Sequence, residues 1–293
     1  MTWQFSLAGL FVGILVGMTG MGGGSLMTPI LVIFFGFRPT YAIGTDILHG
    51  AIFKSFGAWR HRRLGTVNAR LVLWMVLGSA PMSLLGVEVS GWIGDIESVQ
   101  SKILGCALVA GGVGFLAKAF LQARAPARDL TFTATRDRAI AFGIGLAGGF
   151  VVGLTSVGSG TFFGLAMLLA FPLATAAIVG TDIFHAALLL WVAGVSHLLH
   201  GNVDLRAMAW LLIGSIPGVL VGSQFTVRLP DRALRVALAT VLTLSGIKLL
   251  DVPGSTWILV GVLCGGGLLL AALGARGLYA RRPRPEPMPV VVD

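Results

Sequence analysis

Charge is scarce in this chain. Asp, Glu, Lys and Arg together make up 11% of its 293 residues, where soluble globular domains carry about 25%. So few charges leave too little polar surface for an ordinary soluble domain. Cysteine is scarcer still, with 2 residues. Cys106 and Cys264 lie in apolar stretches far apart in sequence, so they read as small core residues and support neither a disulfide nor a metal site. The first twenty residues lack a basic n-region and a small-residue cleavage pattern, and are expected to form a first membrane segment, not a signal peptide.

Carboxylates are nearly missing from the apolar stretches. Glu88, Asp95, Glu97, Asp129, Asp137, Asp204, Asp231, Asp251, Glu286 and Asp293 fall in expected loops, segment ends or the tail. Only Asp46 and Asp182 lie clearly within apolar spans.

What fills the chain is hydrocarbon. Hydrophobic residues make up 56% of it and the mean hydropathy is +0.90. Repeated apolar runs near 20 residues match the thickness of a bilayer core, so the expected class is an all-α polytopic membrane protein. The formal charge of +9 and isoelectric point near 10.8 do not point to nucleic acid. Arg and Lys cluster in short loops, as the positive-inside rule predicts.

The chain divides into two similar halves. A first repeat, residues 1–122, is expected to hold segments over Trp3–Gly17, Leu26–Phe35, Thr40–Trp59, Leu71–Val89 and Lys102–Phe120. A basic cytoplasmic linker, 123–138, separates it from a second repeat, 139–251. There the segments are Ala139–Gly153, Thr161–Phe171, Ala174–His197, Arg206–Phe225 and Leu234–Leu250. An additional transmembrane helix over 252–276 has no counterpart in the first half. The tail, 277–293, is Pro-rich and basic and is expected to be disordered. This makes about 10 membrane segments plus one extra C-terminal span.

A fixed shift of 136 over residues 13–86, without a gap, gives 23 identities in 74 pairs. Apolar bias would supply matches of Leu or Val. It does not supply Asp46/Asp182, His49/His185, His61/His197, Arg70/Arg206, Trp74/Trp210, Ser79/Ser215 or Pro81/Pro217. The chain is internally duplicated. With the basic Arg60–Arg63 loop, the linker and the C-terminus placed inside, the acidic loop at Glu88–Glu97 and the loop at His200–Arg206 face outside, Arg228–Arg235 faces inside, and the second half runs opposite to the first. The expectation is an inverted repeat. Arg38, near the outer face in that arrangement, is the exception.

Two features in each half carry chemistry. The first is a glycine loop between two short apolar segments: Gly22, Gly23 and Gly24 before Ser25, and Gly158, Ser159 and Gly160 before Thr161. Glycine-interrupted short segments are the pattern of broken or re-entrant helices. Their amides and helix starts suit an anion, although small residues also serve close helix packing in lipid. The second is Gly-Thr-Asp-x-x-His, at Gly44–His49 and again at Gly180–His185. Three residues along a helix rotate by about 300°, so acid and imidazole share a face. Each aspartate lies about 10 Å inside its span at 1.5 Å per residue. A buried ionisable group there is costly and marks a functional site by default.

Each residue has a plainer reading. Asp46 and Asp182 can cap the free amides of broken helices or can couple protons. His49 and His185 can donate to an oxyanion or simply tie helices together. His61 and His197, near segment ends, read as structural. Lys54 reads as a residue that snorkels toward the basic Arg60–Arg63 segment.

Taken in order, these motifs resemble the TauE/SafE family of sulfite and organosulfonate exporters. The resemblance rests on Gly20-Met21-Gly22-Gly23-Gly24-Ser25 with Pro29, and on Ala42-Ile43-Gly44-Thr45. It extends to His61 with Gly65-Thr66-Val67 and to Gly78-Ser79-Ala80-Pro81, and it covers about residues 5 to 275. It implies secondary transport of a small sulfur-containing anion (sulfite, thiosulfate, a sulfonate or sulfoacetate), with protons as a candidate coupling ion and the cytoplasmic membrane as the location. The second glycine loop departs from the first by Ser159 in place of a glycine.

The expected substrate groups are the amides of Gly22, Gly23, Gly24, Gly158 and Gly160, the hydroxyls of Ser25, Thr45, Ser159, Thr161 and Thr181, and the imidazoles of His49 and His185. Asp46 and Asp182 support or couple the site. No enzymatic activity, cofactor, resident metal or nucleic-acid partner is expected, and the partners are the small anion and the lipid bilayer. Two rival readings remain open at this point. One is a divalent metal-ion transporter that uses the two Asp/His pairs. The other is an intramembrane serine hydrolase with Ser159 as nucleophile and His185 or His197 as base.

Overall fold

The computed structural model of the chain describes residues 2–19, 24–94, 97–121, 135–158, 160–225 and 231–255. Among these residues the structure is all-helical, with no strand. The first half supplies α1 (Thr2–Thr19), α2 (Gly24–Phe35), α3 (Pro39–Arg63), α4 (Ala69–Gly94) and α5 (Glu97–Leu121). The second supplies α6 (Thr135–Thr155), α7 (Phe162–Ala170), α8 (Thr175–Leu199), α9 (Leu205–Phe225) and α10 (Asp231–Leu249). Met1–Val252 form one compact unit. The extra C-terminal span and the tail expected from the sequence lie outside the described residues from 256 on, as does most of the linker.

Helix lengths follow the punctuation of the sequence. Pro39 opens α3 at a position where its missing N–H costs nothing. At 1.5 Å per residue, α2 and α7 reach only about 18 and 14 Å, too short to cross a bilayer core. Among the described residues, three stretches are long and apolar enough to cross one: Ala69–Ile93, Thr135–Thr155 and Ala176–Leu199. Large side chains on the outside are apolar as well; Trp3, Phe11, Phe34, Phe56, Trp59 and Trp92 are all exposed. That surface suits lipid, where exposed hydrocarbon carries no penalty.

Two segments read as loops are helical where they are described. Of the acidic Glu88–Glu97 segment, 88–94 end α4 and Glu97 opens α5. The basic Arg60–Arg63 segment is the last turn of α3, where Arg63 lies over the Trp59 ring at 4.0 Å. A cation fits the carbonyl end of a helix, and the aromatic face adds a second attraction.

Pairing of the helices follows the duplication. α1 packs on α9 and α6 packs on α4, while α3 packs on α8 and α5 on α10. Glycines set these contacts by letting backbones meet, as is common where lipid supplies no hydrophobic drive. A Cβ added to Gly13 would lie 2.5 Å from the Ser215 carbonyl oxygen and 2.8 Å from its Cα. At the equivalent Gly149, the added Cβ would lie 2.5 Å from the Cα of Ser79. Gly9 likewise faces Leu211, and Gly145 faces Met75. Both members of each of these pairs advance together, so α1/α9 and α4/α6 run parallel.

The other two pairs run antiparallel. Gly50 of α3 meets Leu190 of α8, and seven residues further on Gly57 meets Ile183, seven residues back. Along α5 and α10, Gly105 meets Gly246 and Gly112 meets Ala239. Among the described residues, two large apolar clusters result, with a third, smaller one of Ala58, Ile183 and Ala187. One large cluster gathers Ile43, Ile47, Met75, Phe163, Met167 and Leu189, and the other Val12, Met27, Leu31, Leu104, Leu108 and Leu211.

Candidate functional site

Among the described residues, the buried ionisable side chains all lie on the antiparallel α3 and α8. Thr45, Asp46, His49 and Lys54 on α3 and Thr181, Asp182 and His185 on α8 are all buried. Burying this many polar groups is tolerable only where partners are supplied.

Partners come largely from the opposite half. His49 Nε2 and Ser215 Oγ of α9 are hydrogen bonded at 2.9 Å. His185 Nε2 and Ser79 Oγ of α4 make the equivalent bond, also at 2.9 Å. The threonine beside each aspartate is used in the same crossed way. The Asp204 amide donates to Thr45 Oγ1 at 2.9 Å, and the Asn68 amide donates to Thr181 Oγ1 at 3.0 Å. Asp204 and Asn68 in turn accept from the amides of Ala207 and Leu71 as α9 and α4 begin. The two Gly-Thr-Asp-x-x-His copies therefore hold the first turn of the helix that carries the serine for the neighbouring histidine.

The aspartates differ. Asp46 Oδ2 accepts from Thr28 Oγ1 of α2 at 2.5 Å and from Ser156 Oγ of the second half at 2.8 Å. Its Oδ1 is buried without a hydrogen-bond partner. Asp182 Oδ1 accepts from the amide of Gly160 at 3.4 Å, in the turn that precedes α7. One amide of the second glycine loop is thus directed at the carboxylate of its own half.

That turn is left-handed in part. Ser156, Gly158 and Gly160 have φ of 62°, 141° and 89°. Beyond it, the hydroxyl of Thr161 is buried and has no hydrogen-bond partner. Of the remaining expected residues, Gly24 opens α2. Gly22, Gly23 and Ser159 lie outside the described residues, as does the side chain of Ser25.

Lys54 is the main departure from the sequence reading. It does not snorkel to the basic end of α3: it is 3% exposed. It lies within electrostatic reach of both Asp46 and Asp182, and of His49 and His185. A small cavity of about 10 Å³ opens beside it, lined by Asp46, His49, Gly50, Phe53, Lys54 and Ser215 together with Val12, Gly13 and Val16 of α1. That is about the room one water needs. Thr45 and Thr181 face away and do not line it.

The second half treats its equivalent positions differently. Leu190 stands where Lys54 would be, Leu189 where Phe53 would be and Ala186 where Gly50 would be, and all three are buried. The ring of Phe163 meets that of His185 edge-on at 4.4 Å. By contrast, the His49 ring lies nearly parallel to Phe53 at 5.9 Å.

Sequence reasoning passed over Ser79, Ser215, Thr28 and Ser156 as site residues and read Lys54 as structural. A signal for the first two was present, since Ser79/Ser215 is one of the identities in the duplication. His61 and His197 bond locally, His61 Nδ1 with Thr66 Oγ1 at 2.9 Å and His197 Nε2 with the Gly153 carbonyl at 3.1 Å. The two bases considered for a hydrolase, His185 and His197, therefore use Nε2 on Ser79 and Gly153. For the metal reading, no three His, Cys, Asp or Glu residues gather closely enough to hold an ion among the described residues.

The family described as Sulfite exporter TauE/SafE matches residues 5–249. Among curated proteins, the chain is similar to the probable membrane transporter protein YjnA of Bacillus subtilis (strain 168), 39% identical over 85% of this chain and 100% of that one. It is also similar to the probable membrane transporter proteins YdhB and YunE of the same organism, at 25% and 24% identity over 82% and 83% of this chain and 96% and 94% of theirs. No solved structure matches it significantly. With its apolar helices and the match across nearly its whole length, the chain belongs to the TauE/SafE family and is a membrane transporter.

Proposed function

We propose that the protein is a multi-pass carrier of the cytoplasmic membrane that moves small sulfur-containing anions (sulfite, thiosulfate, sulfonates or sulfoacetate) by alternating access between two inverted repeats. The repeats are 1–122 and 139–251, joined by the basic cytoplasmic linker 123–138. The antiparallel course of α3 and α8, and of α5 and α10, supports the inversion. Equivalent helices of two repeats run antiparallel when the repeats have opposite orientation in the membrane. The contact between Glu88 Oε1 and His200 Nε2 at 3.0 Å supports the same topology, because both residues fall on the outer side in it.

One observation carries the anion reading beyond the family match: hydrogen-bond donors and a cation converge on the cavity between α1, α3 and α9. Ser215, His49 and Lys54 can all donate to an oxyanion. Amides of the two glycine loops, from Gly22 to Ser25 and from Gly158 to Thr161, are further candidate donors, with the hydroxyl of Ser159; the expected hydroxyls of Thr45 and Thr181 are instead engaged by the Asp204 and Asn68 amides. His49 and His185 orient or charge the site. Asp46 and Asp182 do not bind an anion while ionised, so their role is to accept protons as the anion enters. The water-sized cavity suits a closed conformation, which must open to admit an ion of four or more heavy atoms.

The test is flux of sulfite, thiosulfate and a sulfonate into proteoliposomes, with zinc and manganese as the competing substrates. Saturable flux of a sulfur oxyanion is the expected result, reduced in Asp46→Asn and His49→Ala. Flux of the metals alone would overturn the anion reading. Undiminished flux in both variants would reduce the acid and imidazole pairs to scaffolding.

A further inference from the structure

We infer that the chain holds a single anion site, not one per repeat, and that Lys54 supplies its positive charge at the cavity shared by α1, α3 and α9. The inference rests on the anion-transport reading and narrows it to one half of a duplicated framework.

The framework itself is symmetric. Each histidine bonds a serine of the other half at 2.9 Å, and a glycine of the other helix in the pair (Gly13 or Gly149) brings that serine close. What surrounds the two histidines is not symmetric. Around His49, Phe53 forms a flat wall, and Gly50, Lys54 and Ser215 line an opening. Around His185, Ala186 adds a methyl group, Leu189 and Leu190 replace the wall and the cation, and the Phe163 ring packs on the imidazole. The His185 half contributes no cation of its own: Leu190 stands at the position of Lys54, and the charge that reaches His185 is that of Lys54 itself. Taking an oxyanion out of water away from a cation costs far more than hydrogen bonds alone return. Among the described residues, the His49 half contributes both the donors and the cation that line an opening.

Charge counting then fixes what the site takes. The titratable groups facing Lys54 are Asp46 and His49 on its own helix and Asp182 and His185 on α8. With the imidazoles neutral and both carboxylates ionised, the cluster carries one net negative charge and repels an anion. With one proton on the carboxylates it is neutral, and with two it carries one net positive charge. A monovalent anion therefore binds together with protons on Asp46 or Asp182, and Lys54 is the only fixed cation of the set. The chemical class is a small oxyanion of single charge, with oxygens for Ser215, His49 and Lys54 together.

Isothermal titration of the full-length purified protein with sulfite, at a pH low enough for singly charged hydrogensulfite to predominate, and with a singly charged sulfonate tests this. Wild type is expected to bind one anion per chain. Lys54→Gln is expected to bind at least about tenfold more weakly, since a charge-assisted hydrogen bond is lost, while Lys54→Arg retains binding. Folding of each variant is checked by its elution profile and by its melting temperature without ligand. Should Lys54→Gln fail to fold, the double variant Lys54→Gln/Asp182→Asn removes one charge of each sign and is expected to show the same loss. Two anions per wild-type chain, or affinity within about threefold of wild type after loss of Lys54, would overturn the inference and leave anion transport standing. Absence of binding and flux for every sulfur oxyanion in wild type would instead sink the transport reading beneath it.

Discussion

His49 of the first half and Ser215 of the second share a hydrogen bond of 2.9 Å, and His185 with Ser79 repeats it at 2.9 Å. The duplication has thus become a mutual dependence, in which neither half satisfies its own histidine. Removing a serine leaves a buried ring nitrogen without its partner, which costs about 1–3 kcal/mol. Ser215→Ala and Ser79→Ala are both expected to lower the melting temperature in detergent. Ser215→Ala is expected in addition to weaken anion binding, because Ser215 lines the cavity. A melting temperature unchanged in both variants would show that the bonds are not made in the folded protein.

Those serines are where they are because glycines let the helices close. At Gly13, the atoms an added Cβ would meet belong to the Ser215 backbone, which no rotamer change can move aside. Gly13→Ala is expected to cost about 1–3 kcal/mol as overpacking and to push Ser215 away from His49. Loss of stability together with weaker anion binding is the expected pair of readouts. A variant as stable as wild type would mean that α1 and α9 are not in backbone contact.

Much of this was legible in the sequence. Apolar runs bounded by Gly, Pro and Arg clusters mark the ten helices to within a few residues, and the shift of 136 names both Asp/His pairs. What escaped depended on tertiary contacts. Lys54 looked like a residue near the basic end of its span, but α3 continues as helix to Arg63, so the side chain sits about 13 Å from that end at 1.5 Å per residue. Its aligned partner Leu190 hinted at an interior position, since an apolar equivalent faces the core. Thr28 and Ser156 could not be found by periodicity, because they reach Asp46 from two other segments. The acidic Glu88–Glu97 segment read as a loop because charge near glycine mimics one, although it is helical through Gly94.

Proton coupling has its own test at Asp46. Asn keeps the volume and an acceptor oxygen for Thr28 and Ser156, but it cannot take up a proton. Asp46→Asn is expected to fold and to transport anion without responding to an imposed pH gradient, whereas wild-type flux rises or falls with that gradient. Proteoliposomes with a fixed anion gradient and a varied pH difference provide the measurement. Equal pH response in the variant and in wild type would remove Asp46 from the coupling.

Ser156 separates backbone strain from hydrogen bonding at the same carboxylate. It holds φ at 62°, a left-handed conformation that costs a non-glycine residue about 1–2 kcal/mol, and its hydroxyl donates to Asp46 Oδ2 at 2.8 Å. The duplication places Gly20 at the aligned position, a residue for which that conformation is free of penalty. Ser156→Ala removes the bond and keeps the strain, while Ser156→Gly removes the bond and relieves the strain. Both are expected to be less stable than wild type, with Ser156→Gly recovering about 1 kcal/mol relative to Ser156→Ala. The difference between the variants measures what the backbone stores, and their shared loss measures what the hydroxyl gives Asp46. If Ser156→Gly proves more stable than wild type, the strain outweighs the bond, and the serine is then kept for the charge it steadies at Asp46.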